Sequence, residues 1–145
     1  MKTFLHLLGT IWCLPATILV WLFYILPMWL IWKDFIFKGW GEPFIADFQL
    51  ANRDVEPWHA RAWKDWYGVG LPNAAIHRNE LGIFDDQYVE MVKVHERRHC
   101  VQWFWLGVLF YPVYLVAGLI QGLRGKDRYL DNPFEVDARK ASGEE

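Results

Sequence analysis

Between Lys2 and Lys33 the chain carries no Asp, Glu, Lys or Arg. A helix of these residues is about 45 Å long at about 1.5 Å per residue, against a hydrocarbon core of about 30 Å. The pattern predicts an N-terminal transmembrane anchor over residues 1–32. It would span with tilt, or from about Ile11 with the first residues in the interface. Pro15 and Pro27 are expected to kink it. A cleaved signal peptide is the rival reading, but the stretch is longer than such a core and no small-residue cleavage site follows it.

From Lys33 to Val94 the pattern is polar, interrupted by single aromatics. Asp54 and Pro57 look like a helix start, with Trp58, Ala62, Trp63 and Trp66 on one face. That helix would pack on the domain core or lie in the membrane interface. Gly68, Gly70, Pro72 and Asn73 break the pattern. Residues 74–78 and 81–84 then read as a hairpin turned at Asn79-Glu80. Asp85 or Asp86 can cap the next helix. Along it Tyr88, Met91, Val92, His95, His99 and Gln102 recur at helical spacing. A second uncharged run, 101–123, follows directly and contains Gly107 and Pro112.

Composition supports a chain with much of its surface at lipid. Apolar residues make up 54% of 145 positions, and there are ten tryptophans, the residue that concentrates at membrane interfaces. A net charge of −2 gives no electrostatic case for nucleic acid. Cys13 and Cys100 are too few for a disulfide framework.

The candidate chemistry is His95-Glu96-Arg97-Arg98-His99. Two histidines at i and i+4 share a helix face, so their imidazoles can converge on one Zn²⁺, with Glu96 beside them to take a proton from an acidified water. The bland alternative is two surface histidines in a charged turn. A catalytic zinc needs a third protein ligand, and the candidates are His6, His59, His77 and Glu135. Asn132 can cap a short helix with Pro133 at its first position, which puts Glu135 in the first turn. There its charge would also simply complement the helix dipole.

The pattern His95-Glu96-x-x-His99-x-x-Gln102, an apolar Gly/Pro-broken stretch, then Tyr129-x-x-Asn132-Pro133-Phe134-Glu135-x-x-Ala138 resembles a group of small zincin-like bacterial proteins, minimal relatives of the gluzincin metallopeptidases. The resemblance implies zinc on His95, His99 and Glu135, Glu96 as general base, and Gln102 in a supporting role. It also implies an extended peptide substrate laid against the hairpin as an added strand. Tyr129 is placed to donate to the oxyanion. Arg97 and Arg98 depart from the usual pattern. Two cations beside a dication weaken it unless they point to solvent, pair with acids such as Glu90 or Asp137, or meet lipid phosphate.

The run 101–123 tests this reading. As a span it would put His99 and Glu135 on opposite sides of the membrane. Broken at 107–112 and folded back, it returns the chain to its starting side. The expected fold is therefore mainly α: an anchor, then a zincin-like α+β domain over 33–145 with one β-hairpin and a hydrophobic, re-entrant helical hairpin. The expected function is that of a membrane-anchored zinc metallopeptidase with the bilayer and a polypeptide substrate as partners. The alternatives are a two-span protein that binds a partner through its polar middle, and an inactive zincin-fold adaptor.

Overall fold

The computed structural model describes residues 2–41, 44–50, 68–77 and 86–144. The expected helix at 54–66, the strand at 81–84 and its turn lie outside these residues. The chain is mainly helical, with one four-stranded mixed sheet. Helices α1 (Lys2–Trp12) and α2 (Leu14–Val20) continue into two wider helical turns, Trp21–Ile25 and Pro27–Ile31. Strands β1 (Phe35–Gly41), β2 (Ile45–Leu50), β3 (Gly68–Leu71) and β4 (Ala74–His77) follow. Then come α3 (Asp86–Leu106), a tight turn at Gly107–Leu109, α4 (Phe110–Leu123) and α5 (Pro133–Ser142).

The strand order is β1-β2-β4-β3, with β2 and β4 parallel and the other two pairs antiparallel. The strand expected from residue 74 exists, but it pairs with β3 through the Pro72-Asn73 turn, inside the stretch that sequence patterning treats as a breaker. Alternation along the strands sorts the side chains to two faces. Phe35, Ala46, Phe48, Val69, Leu71, Ala74 and Ile76 form one core with Ile25 and Met28 of the N-terminal helix. Ile45 and Ala75 point the other way, onto Cys100 and Phe104 of α3. The sheet is thus the middle layer of three.

The boundary expected at residue 32 falls between two packed layers that share a core. Trp21 donates from Nε1 to the Pro72 carbonyl at 3.3 Å, and Thr17 donates to Asn73 Oδ1 at 2.9 Å. Trp29 packs edge-on against Phe48. Two helical stretches, Leu14–Ile31 and Asp86–Leu123, are long and apolar enough to cross a membrane.

The second stretch bends sharply. Gly107 has φ +56°, and a side chain there would collide with the Trp12 indole. The rings of His99 and Phe110 are 6.3 Å apart, where eleven residues of straight helix would separate them by about 16 Å. The expected break therefore occurs, but at the glycine. Pro112 sits in the first turn of α4, where its missing N–H has no intrahelical partner to lose, and Tyr111 before it stays helical. After α4 the chain runs back along it: the Asn132 amide donates to the Tyr114 carbonyl at 3.1 Å. This return lets α5 dock on α3.

Candidate metal centre

The helix face predicted for α3 is the face that lines a cavity of about 580 Å³. Tyr88, Met91, Val92, His95 and His99 lie along it, with Glu96 beside them. Phe110, Tyr111 and Tyr114 of α4 form a second wall, and Tyr129, Glu135 and Glu144 close a third. Asn132 caps α5 as expected, its side chain accepting from the Phe134 N–H at 3.1 Å. Pro133 starts the helix, and the third residue, Glu135, is held buried against both histidines.

His95 Nε2 lies 3.2 Å from His99 Nε2. Glu135 Oε2 is 3.3 Å from His95 Nε2, and Oε1 is 3.4 Å from His99 Nε2. For metal–ligand bonds of about 2.0–2.1 Å in a tetrahedron, ligand atoms sit about 3.3 Å apart. The two contacts to Glu135 end on its two different oxygens, and all three distances are of the size that separates ligand atoms around one zinc ion. His6 and His59, the other upstream ligand candidates, fall where the structure describes no side chain. His77 lies at the end of β4, outside this group of three.

The hydrogen bonds behind the histidines fix which ring nitrogen faces the site. The Gln102 amide nitrogen donates to the Phe134 carbonyl at 2.9 Å and to Asp137 Oδ2 at 2.8 Å. Its oxygen must therefore accept from His99 Nδ1, 2.8 Å away. Glu144 Oε1 lies 3.1 Å from His95 Nδ1 and accepts from it. Both protons sit on Nδ1, so both Nε2 lone pairs point at one another and at a carboxylate. Glu135 Oε2 is buried, with His95 Nε2 beside it at 3.3 Å. Such a cluster of acceptors is one that could hold a metal ion.

Without metal, a proton fills that role. Burial is the largest influence on His95 and His99 and lowers both, but the hydrogen bonds and charges of the surrounding groups, Glu135 foremost, together outweigh it and both end above the ordinary histidine value. Burial would raise Glu135, and its hydrogen bonds from the two histidines instead hold it well below the usual carboxylate range. Tyr114 adds a 2.6 Å hydrogen bond to Glu135 Oε1. Glu96 is pushed up to about 8 by burial, against the pull of His99, with the Glu135 and Glu144 carboxylates adding to the push. Tyr129 is raised by burial and by the Glu135 charge, which keeps its hydroxyl protonated.

The two arginines are neutralised. Arg98 forms a bidentate pair with Asp137 at 2.7 and 2.9 Å, one of the two partners expected. Arg97 takes the buried Asp47 of β2 instead of Glu90, its Nε at 3.1 Å from Oδ1. Each guanidinium is thus paired with a carboxylate that offsets its charge near the candidate site.

Sequence reasoning missed Tyr114, Glu144 and Asp47. It also missed why glycines stand at 68 and 70. A Cβ at Gly68 would meet the Glu96 carboxylate, and one at Gly70 would meet the His99 Cβ and the Glu96 carbonyl. The glycines let β3 press directly onto the His95–His99 turn, and the Gly70 backbone N–H donates to Glu96. Comparison with protein families, with curated proteins and with solved structures finds no match for this chain.

Proposed function

We propose that the chain is a membrane-associated, zinc-dependent metallopeptidase of zincin-like fold. The observation that carries the reading is the convergence of His95 Nε2, His99 Nε2 and the Glu135 carboxylate, at 3.2, 3.3 and 3.4 Å, in the cavity, distances of the size that separates ligand atoms around one zinc ion. Bound zinc would supply a Lewis acid and lower the pKa of water there. Glu96 stands beside the ligands with a proton affinity near the neutral range, which suits a group that takes a proton from water and returns it to a leaving amine. The Tyr129 hydroxyl, on the same cavity, is a donor for a developing oxyanion.

β3 lines the cavity, and among the described residues no strand pairs with its outer edge. An extended polypeptide can add there as a further strand. This is the substrate class that best fits a slot beside Glu96. The two long apolar helical stretches support a bilayer as the other partner.

The test is zinc content and hydrolysis of a quenched peptide library by the full chain purified in detergent. One zinc per chain is expected. Glu135→Ala should lose it, while Glu96→Gln should keep it and lower turnover by about 10²–10⁴-fold. A protein with no stoichiometric zinc, or one whose zinc affinity Glu135→Ala leaves unchanged, would overturn the reading.

A further inference from the structure

The N-terminal segment has the hydropathy of a membrane span, yet it is not free to be surrounded by lipid. From Cys13 to Met28 its inner face is committed: Cys13 to α3, Ala16 to Trp103 and Phe110, and Ile25 and Met28 to the sheet. A helix crossing the bilayer in this pose would carry the sheet to membrane depth, where an open strand edge cannot be satisfied by lipid. Its outer face is nonetheless apolar and bare, with Leu19 58%, Leu22 55% and Phe23 73% exposed.

α4 has the same two-sidedness. Phe110, Tyr114 and Gly118 face the cavity and the returning chain. Val116 54%, Leu119 50% and Leu123 80% face outward with no charge among them. The two helices adjoin where Ala16 meets Trp103 and Phe110, and where Trp12 meets Gly107. Exposed cations stand at the ends of both faces: Lys33 after the first, and Arg124, Lys126 and Arg128 after the second. An apolar face ending in lysines and arginines complements acyl chains bordered by phosphate.

We propose that these two faces form a single lipid-binding surface that lies in one leaflet, so that the protein is monotopic: the N-terminal helix rests in the plane of the bilayer and does not cross it. The occupant is the anionic bilayer surface, and the cavity, walled by the inner face of α4, sits at the lipid boundary. This deepens the membrane-bound reading above and rests on it.

The experiment uses the full chain reconstituted into sealed vesicles of phosphatidylcholine and phosphatidylglycerol. Lys2→Cys and Lys33→Cys are labelled separately with a membrane-impermeant maleimide. The native Cys13 and Cys100 are buried and give little background. Both new thiols should label from the same side, and that side should be the one that labels Lys93→Cys. Leu119→Glu combined with Leu22→Glu should lower the vesicle-bound fraction about tenfold or more, with circular dichroism and zinc content unchanged. Labelling of positions 2 and 33 from opposite sides would overturn the monotopic proposal alone. A chain that does not float with vesicles, or that buries these faces in a stable dimer, would overturn it together with the membrane-bound reading.

Discussion

The two faces of the sheet are built from alternate residues of the same strands, and they do different work. The face toward the N-terminal helix is an aromatic cluster. Phe48 alone touches Trp21, Trp29, Phe35 and Phe37, with ring centroids 5.5–5.9 Å apart. The face toward α3 carries few large side chains: Gly68, Gly70 and Ala75, with Asp47 tied to Arg97 and His77 buried beyond. Apolar burial is non-directional and tolerant of small shifts. The small-residue face is not: it sets α3 at a fixed height over the strands, and with it the positions of Glu96 and His99. Stability is concentrated on one side and positional precision on the other.

The largest effect should come from the aromatic face. Phe48→Ala removes a fully buried ring and should cost about 3–5 kcal/mol. Denaturation in detergent should show it, with the same loss at every pH and with zinc stoichiometry kept in the folded fraction. A loss of zinc from folded protein would mean that the two faces are not separable.

The α3 face should instead make stability depend on pH. His77 is held down to about 4 by burial, with the Lys93 charge adding to the effect. The unfolded chain takes a proton near pH 6.5 and the folded chain only near 4. Stability should therefore be full above 6.5 and fall as the pH drops, by up to about 3 kcal/mol. His77→Phe should flatten that limb. Glu96 acts in the opposite direction in zinc-free protein. Its folded value of about 8 exceeds its unfolded value, so stability should decline as pH rises from about 4.5 toward 8. Glu96→Gln should remove that decline. Thermal melts of chelated protein across pH 4–9 check both; a flat wild-type profile would contradict the contrast between the faces.

Gly70→Ala probes the fit of β3 on α3. The new methyl group would meet backbone and Cβ atoms of the helix, which cannot swing away. A cost of about 1–3 kcal/mol is expected. The loss of turnover should be disproportionate, because the helix shift moves Glu96 and His99 relative to Glu135. Equal proportional losses of activity and folded population would mean that β3 merely packs.

Much of the site is legible in the sequence because local rules place it. The i, i+4 spacing puts His95 and His99 on one face, and Asn132-Pro133 fixes the start of α5 so that Glu135 falls in its first turn. Gly107 marks the bend that brings the two helices together. The sheet is harder to read. Phe35 and Phe37 alternate, but the bulge at Gly39 shifts the register before Trp40, so period two is lost after three residues. Gly68 and Gly70 have poor strand propensity and look like a breaker. They are strand because close approach to α3 demands no side chain, a requirement that exists only once α3 is in place. Tyr114 and Glu144 reach the site from segments with no motif, through tertiary contact alone.

The smallest predicted effects lie within the support of the two histidines and refine the same contrast between buried and exposed. Gln102 is 6% exposed and its amide is tied at both ends, so it allows His99 one orientation and one tautomer. Glu144 holds His95 in the same way, but its side chain is 26% exposed, and water can replace it. Gln102→Ala should therefore lower zinc affinity by about 10–100-fold, as loss of a fixed partner behind a ligand does. Glu144→Ala should lower it by less than about tenfold, because solvent screens that carboxylate and can accept the Nδ1 proton. Competition titrations with a chromophoric zinc chelator rank the two. An equal or reversed order would mean that the tail around Glu144 closes over the metal more tightly than its exposure indicates.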